Sequence, residues 1–223
     1  MKRKTRRILI AISTVVGLLV FALVIPFVIL SSKTTSIKTD YKYLKDDTEY
    51  SYKVEIEGLE LVTQHISCGY ATIEMISSYY GNKVDEDTLS NKNGGAISTS
   101  SSGGFLKEIN ESISSQRFVM KNYLPNDILL KEIHRSLKNN NPVALEWAAK
   151  YEGEWTLHFS VISALDLAND NVTVYNPYGL IENISIDEFI NRTTFEAYQN
   201  MPLFLNFGFA FGAFDKNTIF VVE

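Results

Sequence analysis

The sequence predicts an α+β fold with a mostly antiparallel sheet, preceded by one transmembrane helix. Two observations predict the folded domain: apolar residues recur with a helical period between residues 68 and 138, whereas short β-rich runs dominate from residue 142 onward. Helices that come first and strands that come later are typical of α+β proteins. A third observation, an uncharged apolar run near the N-terminus, predicts the membrane-spanning helix.

The N-terminal segment has the charge pattern of a membrane anchor. Residues 1–7 contain five basic residues and no acidic one, and the run Ile8–Leu30 contains no charged residue. About 20 apolar residues in a helix cross the hydrocarbon core of a bilayer, and the run lacks the Ala-x-Ala site of a cleaved signal peptide. Because basic residues favour the cytoplasmic side, we expect a cytoplasmic tail over 1–7, a single-pass anchor in the cell membrane over 8–30 and an extracytoplasmic remainder.

The remainder divides into a short linker and one domain. Residues 31–48 are rich in Ser, Thr, Lys and Asp and predict a polar stalk, which leaves 49–223 as the folded domain. The chain has 26 acidic and 21 basic residues, and many basic ones lie near the N-terminus, so the domain is acidic. Such a surface disfavours nucleic acid as a partner. One cysteine and three scattered histidines show no metal-ligand spacing, and no cofactor is expected.

The helices of the domain are predicted from their apolar stripes and end signals. The helix after Cys68 carries Ala71, Met75, Ile76 and Tyr79 on one face, and Gly81 suits its C′ position. Further along, the pattern predicts a loop over Asn91–Gly104, a helix over Phe105–Ser115 and a helix from Asn126 to Asn139.

The strands are predicted from alternation and from β-branched or aromatic content. Tyr50–Glu57 alternates strictly and predicts a half-buried strand. Later strands are predicted over 142–147, 159–165, 172–175, 204–214 and 219–222, and the capping box Ser185–Glu188 opens a short helix among them.

Cys68 is the single cysteine, so it cannot form an intramolecular disulfide. It lies at the predicted N-terminus of a helix, a position that lowers a thiol pKa. A thiol nucleophile also needs a base, a group that orients the base, and donors for the oxyanion. His158, Asn176 and Gln64 offer these three functions. The alternatives are that Cys68 is a small buried apolar residue and that His158 is a core histidine.

His158 and Asn176 are predicted to open and to close neighbouring strands of one hairpin. A tight turn at Asn169–Asn171 would not place them directly opposite each other. Either the turn lies earlier, or Asn176 reaches back diagonally toward His158. The sequence leaves both arrangements open.

Five short motifs surround the candidate residues. They are Gln64-x-x-x-Cys68-Gly69-x-Ala71, Tyr79-Tyr80-Gly81, His158-Phe-Ser-Val161, Asn176-Pro-Tyr-Gly179 and Ser185-Ile-Asp-Glu-Phe189. Together these motifs resemble those of the C39-like cysteine peptidases of the papain-like superfold. The resemblance implies a helical part that carries the cysteine and an antiparallel sheet that carries the histidine and the asparagine. Where C39 peptidases commonly show Asp-Pro, this chain has Asn176-Pro177, which keeps an orienting group but makes it neutral.

The resemblance also implies a role for each candidate residue. Cys68 would be the nucleophile and His158 its ion-pair partner and general base. Asn176 would fix the imidazole tautomer. The Gln64 side chain, together with the Cys68 backbone N–H, would form the oxyanion hole.

The expected function is therefore that of a membrane-anchored, extracytoplasmic cysteine peptidase that hydrolyses peptide bonds through a thioester acyl-enzyme. Its expected partners are a peptide or protein substrate and, through the N-terminal helix, the membrane. Three alternatives stay open at this point. The substrate could be a peptidoglycan stem peptide, the acyl group could pass to an amine instead of water, or the domain could be a catalytically degenerate peptide-binding module.

Overall fold

The structure is a computed structural model, and it describes residues 3–196, 205, 208–209 and 214–223. Its helices are α1 (Arg3–Ser36), α2 (Cys68–Tyr79), α3 (Glu86–Lys92), α4 (Ser102–Ser112), α5 (Asn126–Lys138) and α6 (Ile186–Thr193), with a 3₁₀ turn over Lys42–Asp46. Its strands are β1 (Val54–Glu55), β2 (Phe118–Lys121), β3 (Val143–Tyr151), β4 (Glu154–Asp166), β5 (Asn171–Asn176), β6 (Leu180–Ile184) and β7 (Thr218–Val222).

The strands form one antiparallel sheet in the order β2-β7-β3-β4-β5-β6, and β1 pairs with the far end of β4. This confirms the predicted α+β class and the antiparallel sheet. Strand β4 is the longest strand in the described part of the chain, and it runs next to both β3 and β5. Its position lets residues on β4 meet side chains from several elements.

Helices cover both faces of the sheet. On one face Phe105 of α4 stacks on Phe159 of β4, with ring centroids 4.4 Å apart. Neighbouring residues on a strand point to opposite faces, and Trp147, which lies opposite His158 across the β3–β4 pair, packs toward Phe189 of α6. The sheet is therefore buried on both sides, which explains the nearly continuous apolar run in β3.

The segment predicted as a polar stalk packs against the domain. Ile37 and Leu44 are completely buried. The Ile37 carbonyl accepts a hydrogen bond from Asn126 N, and Thr39 Oγ1 accepts one from Asp127 N. Because Pro125 at the start of α5 provides no side-chain cap, residues 37–39 supply the acceptors that the first turn of α5 needs. This capping role could not be predicted from the polar composition of residues 31–48.

The predicted anchor over 8–30 lies within the long helix α1. Within the described part of the chain, no helix combines the length and apolar character needed to cross a membrane. The expectation of a membrane-spanning helix is thus not supported by the structure.

Other element predictions are confirmed in part. Helices α2, α5 and α6 and strands β5 and β7 lie where the sequence placed them. Helix α4 begins three residues earlier than predicted, at Ser102, because Ser101 accepts a hydrogen bond from Gly104 N as an N-cap. The strand expected over Tyr50–Glu57 is reduced to Val54–Glu55. Most of the strand expected over 204–214 falls outside the described residues, and the described Leu205, Gly208 and Phe209 are helical.

Candidate active site

Cys68 is the first residue of α2. Ser67 caps the helix, since its side chain accepts a hydrogen bond of 3.2 Å from Tyr70 N. The thiol is partly buried and is not in a disulfide. The structure therefore places the thiol beside the unpaired N–H groups at a helix N-terminus, as the sequence predicts.

The loop that precedes Cys68 is held by the carboxylate of Glu86, at the start of α3. Glu86 is completely buried. Its oxygens accept hydrogen bonds from the backbone amides of His65 at 2.9 Å, Ile66 at 2.9 Å and Ser67 at 2.8 Å. His65 Nδ1 also lies 3.0 Å from Glu86. Three hydrogen bonds from consecutive backbone amides to one buried carboxyl group fix the conformation of residues 65–67, which lead directly to Cys68.

His158 and Asn176 meet across the β4–β5 pair. Val161 lies opposite Tyr175, so Asn176 reaches back diagonally toward His158, and this settles the arrangement that the sequence left open. The distance between His158 Nε2 and Asn176 Oδ1 is 2.8 Å, and both side chains are buried. His158 lies within β4 and does not open it, because the strand begins four residues earlier at Glu154.

The amide of Asn176 can have only one orientation. Its Nδ2 donates to Glu182 Oε1 at 2.6 Å, and its Oδ1 also accepts from Tyr178 N at 2.9 Å. The oxygen that faces His158 can only accept, so the proton of the neutral imidazole is on Nε2. His158 Nδ1 then carries a free lone pair that can take a proton from a thiol.

Burial sets the protonation state of His158. The ring of Tyr178 stacks on the imidazole, with centroids 4.0 Å apart and planes inclined by 25°. Burial lowers the pKa of His158 to about 3, although the hydrogen bond with Asn176 and the charge of Glu182 act in the opposite direction. The imidazole is therefore a neutral base at physiological pH.

The thiol of Cys68 lies close to the same group of residues. Burial raises its pKa, and hydrogen bonds from backbone N–H groups, the one of Phe159 foremost, oppose the increase. The thiolate form of Cys68 in turn raises the pKa of Tyr178. Phe159 directly follows His158 in the chain, and the ring of Tyr178 stacks on the His158 imidazole. Because Cys68 interacts with both Phe159 and Tyr178, Cys68 and His158 belong to one site. The electrostatics favours a neutral thiol and a neutral imidazole, which differs from the lowered thiol pKa and the ion pair expected from the sequence.

A buried carboxyl group adds a charge that the sequence did not indicate. Glu146 on β3 is completely buried, and Ser102 Oγ donates to its Oε2 at 2.5 Å. Its other oxygen has no hydrogen-bond partner among the described residues. Burial raises the pKa of Glu146 to about 7, and its charge contributes to the raised pKa of Cys68.

Gln64 is tied to the loop that follows Asn176. Its backbone N–H donates to the Pro177 carbonyl at 2.8 Å. The Oε1 atom of Gln64 is buried and has no hydrogen-bond partner within the described ranges. Gln64 lies on the segment that leads directly to Cys68.

The structure therefore brings together all four residues predicted from the sequence, either by direct contact or through adjacent backbone. The residues predicted from the sequence do not include Glu86, Glu146, Glu182 or Tyr178. Of these, Tyr178 alone could have been found from the sequence, since it lies inside the Asn176–Gly179 motif. The three glutamates acquire their roles from contacts between distant segments.

The fold and the site define a class. A cysteine at a helix N-terminus beside a histidine and an asparagine on an antiparallel sheet is the arrangement of a cysteine peptidase-type fold.

The chain belongs to the Peptidase_C39 like family, whose model matches residues 56–202, more than half of the sequence. A search of curated proteins finds no match. Among solved structures, the chain is similar to a double glycine motif protease from an AMS/PCAT transporter, determined in complex with the leader peptide. The TM-score is 0.47 and the identity 13%, over 76% of this chain and 96% of that chain.

Proposed function

We propose that the protein is a cysteine peptidase that hydrolyses peptide bonds through a thioester between Cys68 and the acyl part of its substrate. The observation that carries the proposal is the hydrogen bond between His158 and Asn176, because it leaves His158 Nδ1 as the free acceptor. Membership of the Peptidase_C39 like family supports the same class of reaction.

The reaction starts from the neutral pair. His158 Nδ1 accepts the proton of Cys68 as the sulfur attacks the carbonyl carbon of the peptide bond. The Cys68 backbone N–H and the Gln64 side-chain amide donate to the oxyanion that forms. When the tetrahedral intermediate collapses, His158 gives the proton to the leaving amine, and the C–N bond breaks.

The second half of the reaction uses the same residues. His158 accepts a proton from water, and the resulting hydroxide attacks the thioester carbonyl. The C–S bond breaks, and the thiolate of Cys68 recovers its proton from His158. Asn176 keeps the imidazole in one orientation during both halves, since its amide cannot rotate without losing its hydrogen bond to Glu182.

The test uses the full chain with a peptide library and detects new N-termini by mass spectrometry. Wild-type protein is expected to generate cleavage products, whereas Cys68→Ser and His158→Ala should not, with melting temperatures close to that of the wild type. Asn183→Ala, which removes an exposed amide on β6, serves as the control and should retain activity. Equal cleavage by wild type and Cys68→Ser would contradict the proposal.

Because Cys68 is the single cysteine, alkylation offers a second readout. Iodoacetamide reacts with the thiolate, so the rate at pH 7 reports how readily His158 removes the thiol proton. We expect His158→Ala to slow alkylation by at least about tenfold. An unchanged rate would show that His158 is not the base.

The proposed location is the outer face of the cell membrane, with the basic tail in the cytoplasm. The proposal is supported by the uncharged run 8–30 behind five basic residues and by the exposed side chains of Leu18, Leu19 and Phe21 on α1. The wild-type chain should stay in the membrane fraction after alkaline carbonate extraction. Leu18→Lys with Phe21→Lys should release it, whereas Ser36→Lys at the end of α1 should not. Recovery of the wild-type chain in the soluble fraction would refute the anchor.

A further inference from the structure

Glu182 touches the side of Asn176 that faces away from His158. It lies on β6, opposite Val174 of β5. Its Oε1 accepts the 2.6 Å hydrogen bond from Asn176 Nδ2. Of the two amide hydrogens that Asn176 offers, one is therefore used by a carboxylate, and a carboxylate cannot donate in return.

Arg192 of α6 holds Glu182 in place. Its Nη1 lies 2.7 Å from Glu182 Oε2, and its Nη2 lies 3.3 Å from Oε1. The guanidinium is buried, its Nε donates to the Ala148 carbonyl at 2.7 Å, and it lies 3.5 Å from the centre of the Trp147 ring. A two-pronged contact of this kind fixes both the position and the rotation of a carboxylate.

The charged and titratable groups around Glu182 determine its ionisation. They are Arg192 and, beyond it, Glu188 on α6, together with His158 on β4. Asn176 on β5 is neutral and contributes a hydrogen bond. Burial alone would raise the pKa of Glu182, but hydrogen bonds from Arg192 and Asn176 outweigh burial, and the pKa is lowered. Glu182 is therefore an anion, and its charge raises the pKa of His158.

We propose that Glu182, held by Arg192, is a positioning residue for His158 that acts through Asn176. It fixes the Asn176 amide with the oxygen toward the imidazole, and it supplies the negative charge that an asparagine lacks. The inference rests on the proposed function, since it concerns the same imidazole. The base and the side chains that fix its orientation and tautomer then form a group of five residues: His158, Asn176, Glu182, Arg192 and Trp147.

The first test measures the imidazole tautomer of the full chain by ¹⁵N NMR of the ring nitrogens, with His158→Ala used to assign the signal. The wild type is expected to show a proton on Nε2 alone. Glu182→Ala leaves the Tyr178 backbone N–H as the remaining donor that orients the Asn176 amide, so the Nδ1–H tautomer should appear beside the Nε2–H tautomer. Glu188→Ala removes another carboxylate near Arg192 that does not touch Asn176, and it should leave the tautomer unchanged. A single Nε2–H tautomer in Glu182→Ala would overturn the positioning role.

The second test exchanges the charge between the two residues. Asn176→Asp alone places two carboxylates 2.6 Å apart. Like charges at that distance repel, so residue 176 no longer holds the imidazole as in the wild type. Glu182→Gln alone keeps the shape but removes the charge. Each single change should slow iodoacetamide alkylation of Cys68 at pH 7 by about ten- to a hundredfold. The double variant Asn176→Asp with Glu182→Gln restores one carboxylate and one amide, and it should recover most of the wild-type rate.

The outcome separates this inference from the proposed function. Tautomer and alkylation measurements need no peptide substrate, so a chain that cleaves no peptide would refute the peptidase proposal alone. Single variants that alkylate at the wild-type rate, or a double variant that is slower than both singles, would refute the role of Glu182 alone. A melting temperature measured for each variant excludes loss of the fold as the cause.

Discussion

Thr99 occupies the space that a side chain at Gly69 would need. A Cβ at Gly69 would lie 2.2 Å from Thr99 Oγ1 and 2.4 Å from Thr99 Cβ. Gly69 is the second residue of α2, directly after Cys68, and Thr99 is buried in the loop before α4. The close approach of these two segments fixes the position of the α2 N-terminus relative to the rest of the site.

We expect Gly69→Ala to lower the free energy of unfolding by about 1–3 kcal/mol, as is usual when a group is forced into a packed interior. Gly103→Ala is the matched control, because Gly103 is the second residue of α4 and a Cβ there meets nothing within 4 Å. The control should be neutral or stabilise slightly, since alanine favours helix. Chemical denaturation of both variants makes the comparison, and equal stabilities would show that the α2 N-terminus moves freely.

Glu86→Gln should loosen the loop from His65 to Ser67. The carboxylate accepts three backbone hydrogen bonds, and a neutral amide accepts them more weakly and with a single oxygen. We expect the stability to fall by about 1–3 kcal/mol and the amides of residues 65–67 to exchange hydrogen faster. Asp87→Asn on the same helix removes an exposed carboxylate that contacts the His65 ring, and it is the control. Unchanged hydrogen exchange at these three amides would show that the Glu86 carboxylate does not hold this loop.

Glu146→Gln should change how stability depends on pH. Burial raises the pKa of Glu146 from 4.5 to about 7, so this group stabilises the fold fully below pH 4.5, and its contribution is lost as the pH rises through 7. The wild type should lose about 3 kcal/mol relative to the variant between these limits. Comparing the two proteins at each pH cancels the opposite trend from His158, whose lowered pKa costs stability as the pH falls below 6.5.

The measurement for Glu146 is urea unfolding of wild type and variant at intervals from pH 4 to pH 8. Glu154→Gln, at an exposed position on β4, should give a curve parallel to that of the wild type. Parallel curves for Glu146→Gln as well would mean that the carboxyl is not buried in solution.

Tyr178→Ala should raise the pKa of His158 toward its ordinary value. The stacked ring excludes water from the imidazole, and burial is the largest cause of the lowered pKa. NMR titration of the His158 ring would follow the change. Tyr151→Ala removes a ring that packs on Tyr178 with centroids 4.6 Å apart and should leave the titration nearly unchanged. An unaltered pKa in Tyr178→Ala would show that other residues bury the imidazole.

Local signals explain which parts of the fold could be predicted from the sequence. Ser185 caps α6 as its position in the predicted capping box implies, with its Oγ accepting from Glu188 N at 3.2 Å. The apolar stripe of α5 and the alternation of β5 are likewise properties of adjacent residues. Strand β2 escaped prediction because it is four residues long and ends in lysine, so its strand character comes from pairing with β7.

Long-range packing explains what the sequence did not show. Tyr50 and Tyr52 alternate like strand residues, yet they pack edge-on against His134 of α5, with ring centroids 5.2 and 4.9 Å away. His134 is itself buried where these two rings pack against it. The candidate site divides in the same way. Cys68, His158 and Asn176 stand in short motifs, whereas Glu182 matters only because α6 brings Arg192 to it.

The placement of β7 has a consequence for when the protein could first act. This strand lies between β2 and β3, and it pairs with residues that precede it by a long stretch of chain. Pairing between distant segments closes large loops and is slow compared with local structure formation. During synthesis, Cys68, His158 and Asn176 are added to the chain before residues 218–222, so the sheet that carries the histidine is still incomplete at that stage. We expect the nascent chain to be inert, with reactivity acquired only after synthesis has passed β7 and the strand has inserted.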